Sequence, residues 1–104
     1  MKMYDFTEYD KVFALLDYCY RMCEEDALGA LLGSMDRDLF EGDMPADAAE
    51  YDDFSAVYKG KGTRETAIDF LLFHEEQFGF SLKQSISILK QMTDGEACAI
   101  LEKI

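Results

Sequence analysis

The side chains with the greatest capacity for chemistry are three cysteines, Cys19, Cys23 and Cys98, the single His74, and a run of acids. Three thiols and one imidazole formally make a four-ligand zinc set. No Cys-x-x-Cys turn occurs, however, and Cys19 and Cys23 lie one helical turn apart on a face that otherwise reads as core. A Cys/His nucleophile and base would need an exposed thiol near positive charge or a helix N-terminus. All three cysteines fall on predicted core faces in mid or late helix, where cysteine acts as a small hydrophobe. His74 sits between Leu71 and Phe78 on one helical face and reads as a satisfied, semi-buried histidine. The acids are Asp36, Asp38, Glu41, Asp43, Asp47, Glu50, Asp52 and Asp53, with Arg37 as the only base between Leu28 and Phe54. Their spacing departs from a calcium-binding EF-hand loop. Magnesium would come with a phosphate substrate, and Lys59-Gly60-Lys61-Gly62 is too short for a phosphate-binding loop. No pair of carboxylates stands out for glycoside chemistry. No catalytic, cofactor-binding or metal-ligating residue is therefore assigned, and the chain is expected not to be an enzyme. A metal-dependent enzyme built on the acidic loop is the lesser alternative.

The elements that would position these residues are helical. Tyr9, Val12, Phe13, Leu16, Cys19, Tyr20 and Cys23 recur at helical spacing after Thr7, with Leu15, Tyr18 and Met22 widening the stripe. Three acids, Glu24, Glu25 and Asp26, suit the start of the next element better than the end of this one, because a helix C-terminus repels them. Leu28, Leu31, Leu32 and Met35 predict a two-turn helix, in which Gly29 and Gly33 would permit another backbone to approach. A loop follows to Met44. Pro45 suits a first helical position, and Asp47 with Glu50 resembles a capping pair. Tyr51, Phe54, Val57 and Tyr58 form a stripe, with Asp52 and Asp53 facing away. Thr63 is expected to cap a helix that is apolar almost all round from Ala67 to Phe73 and stops at Gly79. Ser81 with Gln84, and Thr93 with Glu96, predict capping boxes for two more helices. No period-2 run of strand length occurs. The expected fold is all-α: a single compact domain spanning residues 1–104, of about five or six short helices without a sheet, centred on the Thr7 and Thr63 helices packed against the last two.

Composition narrows the partners. The chain has 104 residues, 49% of them apolar, and a net charge of -12. The charge is uneven: residues 1–58 hold fifteen acids and four bases, residues 59–104 seven acids and six bases. A negative field repels phosphate, which argues against nucleic acid and anionic membranes, and it speeds encounter with a basic protein. An odd cysteine count, no leader-like apolar segment and no run long enough to span a membrane predict a reduced, cytoplasmic, soluble protein. Aromatics among acids, with Tyr4, Tyr51 and Tyr58 expected to be part exposed, suit an interface steered by charge and anchored by rings.

Three segments carry a family resemblance: Asp26-Ala-Leu-Gly-Ala-Leu-Leu-Gly-Ser-Met35, Gly42-Asp-Met-Pro-Ala-Asp47 and Tyr51-Asp-Asp-Phe54. With the aromatic first helix, they resemble small helical immunity proteins of bacterial contact-dependent growth inhibition and related polymorphic toxin systems, over residues 7–58. In that family the text runs close to Asp-Leu-Gly-x-Leu-Leu-Gly-x-Met, Asp-Gly-x-Pro-Ala-Asp-Pro-Ala and Trp-x-Asp-Trp. Here Gly42-Asp43 stands for Asp-Gly, Ala48 for a proline, and Tyr51 and Phe54 for the tryptophans. The resemblance implies a cytoplasmic protein that binds and neutralises a cognate toxin without catalysis. The expected partner is a basic protein, by the resemblance a toxin domain, met through Asp36, Asp38, Glu41, Asp43, Asp47, Glu50, Tyr51, Asp52 and Asp53. A structural or regulatory adaptor, monomeric or homodimeric, is the alternative.

Overall fold

Tyr9, Val12, Leu16 and Cys19 recur every three or four residues, and with Leu15 they form the fully buried side of α1 (Thr7–Cys23). The computed structural model describes residues 5–37 and 44–103. The first helix ends at Glu24, which turns left-handed at φ 50 and donates its N–H to the Tyr20 carbonyl at 2.7 Å. Next, α2 (Asp26–Met35) buries Leu28, Leu31, Leu32 and Met35, the i, i+3, i+4, i+7 face read from the sequence. Four further helices follow: α3 (Ala49–Val57), α4 (Thr63–Phe78), α5 (Lys83–Gln91) and α6 (Asp94–Glu102). The described residues thus form an all-α fold with no strand among them.

The two longest helices, α1 and α4, pack on each other, and α5 and α6 pack on both. That is the arrangement expected from their wide apolar stripes. On the other side, α2 lies on α1, and α3 bridges α2 to α4. An edge-to-face aromatic series runs from α1 through α3 into α4: Tyr9 to Phe54 at 5.5 Å, Phe54 to Phe70 at 5.8 Å and Phe70 to His74 at 4.5 Å. Burying each such ring or a leucine stabilises the fold by about 1.5–3 kcal/mol, so this series and the α1 stripe account for much of the driving force. A buried hydrogen bond from the Tyr9 hydroxyl to the Met35 carbonyl, 2.7 Å, ties the start of α1 to the end of α2.

Several local expectations are corrected. Gly29 does permit a close approach, but by a ring: a Cβ there would lie 2.8 Å from Tyr20 Cε1, while nothing lies within 4 Å of one at Gly33. Met22 is exposed because it falls at the edge of the buried arc of α1. Cys98 is exposed because it lies about 100° round α6 from buried Ala97. Leu72 is also exposed, so α4 is not covered on every side. The Thr93–Glu96 capping box forms with both bonds at 3.0 Å, and Gly79 ends α4 at φ 73. Thr7 begins α1 as expected, its N–H held by Asp5 Oδ1 at 3.0 Å. The N-cap of α4 is Gly62, without a side-chain bond. Helix α5 starts after Leu82, and no Ser81 cap forms. Its N-terminus is held from afar: Glu25 accepts from Gln84 N at 3.1 Å, Ser85 N at 3.1 Å and the Ser85 hydroxyl at 2.6 Å. Glu75 accepts from Leu82 N at 2.7 Å.

Candidate functional site

The acidic segment enters α3 through a backbone clasp. Ala46 N–H donates to the Asp36 carbonyl and Asp47 N–H to the Ser34 carbonyl, both at 2.9 Å. Pro45 is buried in this clasp, ahead of α3 and not at its first position. Asp47 lies just before the Ala48 N-cap of α3 and accepts from Ala49 N at 3.0 Å. The clasp sets the first turn of α3 against the last turns of α4. Glu50 and Asp53, one turn apart, consequently face His74.

Glu50 and His74 are buried, at 5% and 3% exposure. His74 Nδ1 lies 2.9 Å from the Phe70 carbonyl one turn back. A carbonyl only accepts, so Nδ1 carries a proton there. The other nitrogen, Nε2, points at the Glu50 carboxylate, 3.2 Å from Oε2 and 3.4 Å from Oε1. The angles suit a hydrogen bond to Oε1 alone. Oε2, without solvent contact, has no hydrogen bond. One ligand atom each from Glu50, Asp53 and His74 lies within 4.8 Å of the others. Burial alone would push the His74 pKa down. The Glu50 and Phe70 hydrogen bonds and the Glu50 and Asp53 charges outweigh it and leave the pKa above its usual value. Burial pushes the Asp53 carboxyl up, and neighbouring Glu50 adds to this, against a lowering by His74. The arrangement can take up positive charge between two carboxylates and one imidazole.

The remaining acids are dispersed. Asp47 and Asp52 are exposed and Asp36 is half-buried, while Asp38, Glu41 and Asp43 lie outside the described residues. Asp53 was expected to face away from the α3 stripe and instead turns toward His74, because α4 packs along that side. Tyr51 is half-buried, with its hydroxyl 3.2 Å from both the backbone N and the carbonyl O of Asp5 and its ring 4.8 Å from that of Phe6. Tyr58 is half-buried, stacked on Phe54 at 5.7 Å, and Tyr4 lies outside the described residues. Arg37 bonds Asp10 at 2.7 Å and sits 3.7 Å over the Phe6 ring. Burial pushes the Cys19 thiol up to about 12, which leaves it inert as a nucleophile. The sequence offered His74 on an apolar face and Glu50 among many acids. Nothing in their spacing announced that the two meet across 24 residues.

The chain matches no protein-family model, no curated protein and no solved structure. No helix among the described residues is long and apolar enough to cross a membrane.

Proposed function

We propose that this chain is a non-catalytic protein-binding module that neutralises a basic protein, a cognate bacterial toxin domain, by occluding its working surface. The observation that carries this is the way the resemblance-bearing stretch is used. Asp26 to Phe54 supplies α2, the clasp and most of α3, and Asp47 and Asp52 within it are exposed. Arg37, the only base from Leu28 to Phe54, is spent internally on Asp10. The local field is thus acidic and would steer Lys- or Arg-rich surfaces toward it, with a rate that falls as salt rises. Tyr51 and Tyr58, half-buried and rigidly packed, could anchor such a contact at low entropic cost.

Capture of proteins from the producing strain, followed by rescue in a toxicity assay, tests the assignment. A captured toxin and rescued growth support it, and absence of both removes it. Reversing Asp36, Asp47 and Asp52 to Lys should slow association and flatten its salt dependence. Unchanged binding would sink the electrostatic mechanism while leaving the role intact. A homodimeric adaptor is a second reading, favoured by the exposure of Phe78 at 54% and Phe80 at 49%, and light scattering at increasing concentration decides it.

A further inference from the structure

We propose that Glu50, Asp53 and His74 form a binding site for one divalent transition-metal ion, zinc in particular, that clamps α3 to α4. Three features of the geometry point to it. The donor atoms are already gathered within 4.8 Å, and the 3.2 Å between Nε2 and Oε2 is roughly the separation of two ligands sharing an ion at 2.0–2.2 Å. The far nitrogen of His74 is fixed by the Phe70 carbonyl, the outer-shell contact that orients a metal-binding imidazole and leaves Nε2 as its ligand atom. Finally, the buried Glu50 Oε2 has no hydrogen bond, although it faces the cluster. A proton on Nε2 serves Oε1 only, whereas an ion takes up the lone pairs of Nε2 and a Glu50 oxygen together.

Charge points the same way. Two ionised carboxylates and an imidazolium leave one negative charge over in a mostly buried place. Two carboxylates, a neutral imidazole and a divalent cation sum to zero. The mixed nitrogen and oxygen set suits zinc or cobalt better than calcium or magnesium, which prefer oxygen alone. An entry path exists: a cavity of about 200 Å³ lies between α2, α3 and α4, lined by Ser34, Asp47, Phe78 and Phe80 as well as by Glu50 and His74. A water molecule from this cavity would supply the fourth ligand. The site rests on these residues and not on the toxin-binding role, so failure of one leaves the other standing.

The test uses the full chain after chelator treatment, titrated with zinc chloride, and with cobalt chloride followed by visible absorption. One ion per chain is expected, with a tetrahedral cobalt spectrum that zinc displaces, and a higher melting temperature with metal. Asp53→Asn, a half-buried change, should weaken zinc binding about tenfold or more, and His74→Gln should abolish the cobalt spectrum. If these variants fail to fold, the wild-type ring answers alone. His74 is the only histidine, so its ¹⁵N resonances are assigned without ambiguity. Zinc should shift Nε2 far more than Nδ1. Unmoved ring resonances, or variants that bind as tightly as wild type, overturn the site.

Discussion

Glu25 is half-buried and Glu50 is buried, and the fold treats the two carboxylates differently. Glu25 reaches from the α1–α2 junction to the start of α5, where three donors meet its carboxylate. It behaves as a remote helix cap, its charge placed at the positive end of the helix and its oxygens satisfied. Glu50 is more deeply buried yet has one imidazole as donor, a second carboxylate close by and an oxygen without a hydrogen bond. A carboxylate that only holds a fold together is expected to look like Glu25. The under-satisfied one is where an arrangement has been kept despite its cost, which is why the α3–α4 site, and not the better-bonded junction, is the place to look for function.

The sharpest way to break the comparison is to remove the counter-charge from the poorer site. In chelator-treated protein, His74→Ala strands Glu50 in the interior and should cost about 3–5 kcal/mol, read from the urea midpoint. The double change Glu50→Leu with His74→Leu should recover most of this, because a buried pair replaced by apolar groups of similar volume is often neutral. A small loss in the single variant would mean that water already solvates Glu50. At the richer site, Glu25→Ala should cost about 1–3 kcal/mol, since the buried Ser85 hydroxyl loses its acceptor and the α5 N-terminus its cap. If that cost exceeded the loss from His74→Ala, the ranking of the two sites would be reversed.

Acidity separates them further. The His74 pKa is raised above 6.5 in the folded protein. Its contribution to metal-free stability is therefore full below pH 6.5 and declines as pH rises through the folded value. Denaturant midpoints taken from pH 6 upward should fall across that window in wild type and not in His74→Gln. The smallest expected effect lies next to Glu25. Among the described residues Glu24 is the non-glycine residue held left-handed, so Glu24→Gly should change stability by no more than about 1 kcal/mol, in the stabilising direction. A large loss there would show that Glu24 does more than turn the chain into Glu25.

The helices were legible because burial follows their periodicity: the α2 stripe emerges residue for residue, and that of α1 in Tyr9, Val12, Leu15, Leu16 and Cys19, while Met22 is exposed. Caps were legible only where they are local. Thr93 and Glu96 lie three residues apart and pair as their spacing suggests, whereas the residue that caps α5 lies 59 positions from the N–H of Gln84. No window along the chain contains both. The same holds for the candidate site. Glu50 was singled out as an acid that would meet a partner, and His74 as a residue already satisfied. Packing of α3 on α4 joins them in the interior, a tertiary fact invisible to composition or spacing.

The clasp at Asp36 to Asp47 has a consequence for how this protein can be altered. Its two bonds are made by backbone groups, so changing the side chains of Ser34, Asp36, Ala46 or Asp47 leaves these donors and acceptors in place. Proline at position 46 or 47 is the exception, because it carries no N–H and would open one side of the clasp that leads into α3.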